Sequence, residues 1–139
     1  MPCTCNLWRP WCLLALVCLG CGSGSRQAIE GTVTLDGQPL ANGEITFIPE
    51  EGTKGPTAGA EIVDGKFAIP TARGTFAGKF RVEITASRVG NQKVVGHLRG
   101  ETGYAYEQFI PSKYNNASQL KADVNADAEN HFDFAVTSK

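Results

Sequence analysis

Beyond position 21 the chain has no cysteine. All five stand at positions 3, 5, 12, 18 and 21, so no internal disulfide framework can hold the rest of the sequence. Both tryptophans, Trp8 and Trp11, fall in the same opening stretch. No apolar run is long enough to span a bilayer: Trp11 to Leu19 would rise only ~14 Å as a helix against ~30 Å of hydrocarbon. A surplus of charge is missing too. Thirteen Lys and Arg against fourteen Asp and Glu give a net charge of −1, without the basic field that a phosphate backbone requires, which excludes nucleic acid as a partner. After residue 21 no segment shows a 3.6-residue period over ten or more residues, which argues against helices. Internal repeats, coiled-coil heptads and an acidic tail are likewise lacking.

What is present begins with an N-terminal leader. Arg9 precedes the apolar segment Trp11-Cys12-Leu13-Leu14-Ala15-Leu16-Val17-Cys18-Leu19, and small Gly20 sits where a peptidase would cut. Cys21 follows, then Gly22-Ser23-Gly24-Ser25, a composition suited to a flexible tether. Leu19-Gly20-Cys21 resembles the lipobox of bacterial lipoprotein precursors, with Cys18 standing where a leucine is favoured. The resemblance implies cleavage before Cys21 and a diacylglyceryl thioether on its sulfur. It implies an exported protein anchored to a membrane of the bacterial cell envelope, and analogy places it at the outer membrane because no aspartate follows Cys21. Residues 1–20 are then the signal peptide, 21–27 the Gly/Ser tether and 28–139 one domain. Removing Arg9 with the leader moves the net charge from −1 to −2. The Cys3-x-Cys5 pair, which could suggest a metal, belongs to the discarded part.

The domain reads as strands separated by Gly and Pro. Ile29 to Leu35 alternates with period two, and Asp36-Gly37 marks a turn. Glu44 to Phe47 alternates again before Pro49, and Glu50 to Gly59 reads as a polar loop. Asp64-Gly65 between Ala60–Val63 and Lys66–Ile69 predicts a hairpin on a type I′ turn, which needs positive φ twice. Gly78 to Thr85 is the cleanest strand, with Phe80, Val82 and Ile84 inward and Arg81, Glu83 and Thr85 outward. Leu120–Val124 and Phe132–Val136 follow, with Phe109-Ile110 as a shorter candidate. About seven short strands predict an all-β fold, a single antiparallel β-sandwich.

Gly31-Thr32-Val33, Asp36-Gly37-Gln38-Pro39-Leu40 and Gly43-Glu44-Ile45-Thr46-Phe47 resemble the opening of carboxypeptidase regulatory-like, or transthyretin-like (prealbumin-like), domains. Asp64 to Ile69 and Ala77 to Val82 resemble the same family's middle, and Ile110-Pro111-Ser112-Lys113-Tyr114-Asn115 a segment of small lipoproteins carrying that domain. The resemblance implies a seven-stranded sandwich serving as an accessory, binding or spacer module. One enzyme of that fold, which hydrolyses 5-hydroxyisourate, relies on a Tyr-Arg-Gly-Ser C-terminus and a histidine near the first strand. This chain ends Ala135-Val136-Thr137-Ser138-Lys139 and has no histidine before His97. Lysine–asparagine crosslinking sandwiches need a lysine in the first strand, and Ile29 to Leu35 has none.

Nothing here forms a catalytic constellation, and no Gly-x-Ser-x-Gly elbow occurs. The expectation is a non-enzymatic envelope module that uses no cofactor or metal and meets an envelope protein or a polysaccharide. His131, Asp133, Asp123, Asp127 and Glu129 could be drawn into a metal site, but they alternate with inward Phe132 and Phe134 or sit in a polar turn, which makes them solvent-facing charge. Asn116-Ala117-Ser118 fits a glycosylation acceptor and reads here as a turn. Arg88 to Glu107 is the longest stretch without a clear strand, although Val94-Val95 could add a short one. Its glycines, basic groups and tyrosines make it the candidate partner-binding loop, with His97, Arg99, Tyr104 and Tyr106 as contacts. Two rivals use the same stretch: a carbohydrate-binding module on Tyr104, Tyr106 and Phe109, and a hydrolase on His97, Glu101 and Glu107.

Overall fold

The computed structural model describes residues 24–95 and 102–139. The leader, Cys21, His97, Arg99 and Glu101 lie outside the described residues. The protein is all-β. In chain order the strands are β1 (Ile29–Leu35), β2 (Gln38–Pro39), β3 (Asn42–Pro49), β4 (Ala58–Val63), β5 (Lys66–Ile69), β6 (Gly78–Thr85), β7 (Ser87–Val95), β8 (Thr102–Gln108), β9 (Leu120–Val124) and β10 (His131–Val136). The expected loop Glu50 to Gly59 is thus shorter, with Gly59 inside β4. Single 3-10 turns sit at Thr71–Arg73 and Ser112–Tyr114. Phe109-Ile110 is not a strand, although Ile110 is buried in the core.

One sheet runs β10-β1-β5-β4-β3-β6-β9, with β2 paired to β1, and β7 and β8 form a second sheet of their own. The Asp64-Gly65 turn forms as predicted, with φ of 50° and 75°. Its arms then part. Val63 and Lys66 are the only paired residues between β4 and β5, after which β5 follows β1 and β4 follows β3. That parting lets the sheet curl, so Phe47 of β3 meets Phe67 of β5 and Phe132 and Phe134 of β10, with ring centroids 6.0 to 6.4 Å apart.

The alternation of β6 becomes the core. Phe80, Val82 and Ile84 are fully buried, beside Val33, Ile45 and Phe47. Arg81, Glu83 and Thr85 lie half-buried on the other face, where Arg81 Nη2 and Glu83 Oε1 are 2.8 Å apart. Asn115, Asn116 and Ala117 turn the chain as expected, and Ser118 behind them is buried, its hydroxyl donating to the Val82 carbonyl.

The expectation of a purely antiparallel sheet is corrected at one edge. β10 runs parallel to β1, from Glu30↔His131 to Leu35↔Val136. The cause is the path of the chain. β9 is antiparallel to β6 and ends with Val124 opposite Gly78, the end of the molecule where Gln27 bridges Thr75 and β1 begins. A short connection pinned by buried Asn130, which bonds the Asn125 N–H and carbonyl at 2.7 and 3.0 Å, then starts β10 at that same end.

Candidate functional site: a projecting β-ribbon

Strand register defines two ends of the molecule. The first described residues lie at one end, where Gln27 N donates to Thr75 O at 2.7 Å and the Arg26 guanidinium reaches the carbonyls of Ala72 and Gly74. β6 leads away from that end, and eight residues at ~3.3 Å each carry the chain roughly 26 Å. There Ala86 passes directly into β7. The stretch expected to be a loop is therefore largely a two-stranded ribbon, arising at the end opposite the N-terminal segment.

Gln108 fastens the base of this ribbon. Its Oε1 accepts from Ala86 N at 2.9 Å and Ile110 N at 3.1 Å, while Phe109 N donates to Ala86 O at 3.1 Å. Beyond the base, the strands pair only with each other. Directly opposed residues of an antiparallel pair share a face. One face therefore carries Val89 with Tyr106, Lys93 with Tyr104, and Val95 with Thr102. Exposure is 60% for Val89, 69% for Val95, 52% for Tyr104 and 78% for Tyr106. The other face carries Arg88 opposite Glu107, 3.8 Å apart, and Val94 opposite Gly103.

The two tyrosines thus stand together on one face. Phe109, expected beside them, does not join. It packs against the core with the Arg88 guanidinium 5.6 Å above its ring, so the proposed aromatic trio is a pair. Of the hydrolase set only Glu107 is described, and it faces Arg88. Lys93, one of the basic groups expected in this stretch, shares the tyrosine face, and Val89 and Val95 join it unexpectedly. A bulge between Val89 and Lys93 breaks the period-two signal that would have placed them.

Elsewhere, His131 lies on the outer face between Glu30 (Nδ1 to Oε1, 3.7 Å) and Asp133 (Nε2 to Oδ1, 3.2 Å). A hydrogen bond of 2.6 Å from the Thr32 hydroxyl, then the charge of His131, hold the Asp133 carboxyl below its ordinary range. Among the described residues no three His, Cys, Asp or Glu side chains are grouped to hold a metal ion. An open groove of about 710 Å³ lies at the N-terminal end, floored by Ile29 and Ile69 and rimmed by Arg26, Thr71, Asp127 and Glu129. Every buried side-chain polar atom among the described residues has a hydrogen-bond partner, so none is left aimed into that groove. No described helix is long and apolar enough to cross a membrane.

No protein-family model matches the chain, and no curated protein matches it. Among solved structures it is similar to a 9R-lipoxygenase from Cyanothece PCC8801, at 14% identity and a TM-score of 0.36. That match covers 81% of this chain and 16% of the lipoxygenase, so the chain spans less than a fifth of the protein it matches.

Proposed function

We propose that the protein is a lipid-anchored, non-enzymatic binding module of the bacterial cell envelope, built on a transthyretin-like β-sandwich. It is held to its membrane through Cys21 and meets its partner through the β7–β8 ribbon. The observation that carries the reading is the exposed face of that ribbon. Soluble domains rarely leave a contiguous apolar stripe uncovered without a use for it, and an isolated two-stranded hairpin is only marginally stable in water. Val89, Val95, Tyr104 and Tyr106 form such a stripe on such a hairpin. Arg26 and Gln27, which follow the proposed anchor, lie at the end of β6 opposite the ribbon, so the ribbon is free to meet a partner while Cys21 is held.

The test uses the full-length protein in its own envelope. Wild type and the Tyr104→Ser/Tyr106→Ser variant are recovered from chemically crosslinked envelopes, and the covalent adducts are compared. The variant is expected to lose the adducts while keeping the melting temperature of the wild type. Undiminished adducts from the variant would overturn the ribbon as the binding surface.

A further inference from the structure

We infer, resting on the ribbon reading above, that the partner of this face is a second copy of the chain. The two ribbons stack face to face and run in the same direction. Each face is built of three rungs: Val89 with Tyr106 at the base, Lys93 with Tyr104 in the middle, and Val95 with Thr102 beyond. All six side chains are exposed, and together they present roughly 650 Å² to water. Two copies stacked over the whole face bury about 1,300 Å² between them, which reaches the ~1,200 Å² at which specific stable interfaces begin. Stacking also supplies what the ribbon lacks. Beyond its base it is a single layer of two strands, and a second layer covers the apolar face that one layer leaves in water.

Shape selects a copy of the same ribbon. A two-stranded ribbon twists more strongly than a wide sheet, and the bulge between Val89 and Lys93 adds to that twist. A flat surface would touch such a face over only part of its length. An identical ribbon has the same twist and the same hand, so it follows all three rungs in the aligned packing of two sheets. Charge then sets the direction. A two-fold axis across the ribbon makes the copies antiparallel and, at the middle rung, brings Lys93 against the partner's Lys93. An axis along the ribbon lays β7 over the partner's β8 instead. The Lys93 ammonium then sits over the ring of the partner's Tyr104, a favourable cation–π placement. Val89 covers the partner's Tyr106, and Val95 covers the partner's Thr102. Two-fold symmetry makes each of these contacts twice. Arg26 and Gln27 of both chains lie at the same end of this dimer, so both Cys21 anchors can reach one membrane.

The experiment counts chains and then reads their direction. Full-length protein is taken to sedimentation equilibrium in density-matched detergent, with micelles in excess so that two chains do not share one by chance. Two chains per particle are expected. The Tyr104→Ser/Tyr106→Ser variant should need about ten-fold or more protein to pair, because each lost ring counts twice. Direction is read with a thiol. The chain has no cysteine after Cys21, whose sulfur carries the lipid, so Thr102→Cys adds a single reactive site, with wild type as the blank. A short bismaleimide should join two such copies in intact envelopes. Antiparallel ribbons would hold the two thiols ~14 Å apart along the strands. Single chains of wild type, a tyrosine variant that pairs as tightly as wild type, or no Thr102→Cys dimer would each overturn the inference. So would ribbon adducts that carry another protein or a glycan in place of a second copy. If wild type sediments as single chains while the Tyr104→Ser/Tyr106→Ser variant still loses its envelope adducts, self-pairing falls and the ribbon reading stands.

Discussion

Phe80 and Arg81 are neighbours in sequence, yet the pleat of β6 gives them opposite fates. Phe80 is fully buried, so Phe80→Ala removes a packed ring and is expected to cost about 3–5 kcal/mol. Arg81 is partly solvated and bonded to Glu83, a neighbour on the same face, so Arg81→Ala should cost less than about 1 kcal/mol. Urea unfolding of the two variants checks this, and equal losses would contradict the assignment of faces. Two carboxylates set a pH dependence. Hydrogen bonds from Ser138 hold the Asp36 carboxyl below its ordinary value of 3.8, and the Thr32 hydroxyl followed by His131 does the same for Asp133. A depressed folded-state pKa contributes stability that is present above the unfolded value and lost as pH falls through the folded one. Thermal stability should therefore decline as pH drops below about 4. The Asp36→Asn/Asp133→Asn variant should show a flatter decline in the same melting series.

At the scale of elements, the parallel edge and the ribbon are the parts to probe. A Cβ added at Gly31 would lie 1.8 Å from the Phe132 carbonyl oxygen, so Gly31→Ala cannot be accepted without pushing β10 off β1. It should cost about 1–3 kcal/mol, and hydrogen exchange should show the loss concentrated in His131–Val136. The ribbon should behave in the opposite way. Removing residues 90–103 leaves the core untouched, and the melting temperature should stay within a few degrees of wild type. These contrasts also explain what was legible in the sequence. β1, β6 and the Asp64-Gly65 turn were readable because their information is local: alternation buries one face, and a type I′ turn demands residues that tolerate positive φ. The parallel pairing of β10 was not, because it depends on which end of the sheet β9 delivers the chain to. The ribbon was half legible. Tyr104 and Tyr106 kept their alternation, while the bulge after Val89 and the glycines at 90 and 103 hid the strands around them.

The described residues have a polarity: Arg26 and Gln27 dock at one end of β6 and the exposed ribbon starts at the other. Under the proposed function, Cys21→Ser should release the protein from the membrane fraction while its melting temperature is unchanged. Mass spectrometry of the wild type should find Cys21 as the N-terminal residue of the mature chain and carrying lipid. The most direct test of the account is a photo-crosslinking amino acid placed in the full-length protein at position 106 or at position 129. The first site is on the ribbon face, the second on the groove rim at the opposite end. Irradiation of intact envelopes should join position 106, and not position 129, to envelope material. Adducts from position 129 alone, or none from position 106, would contradict it.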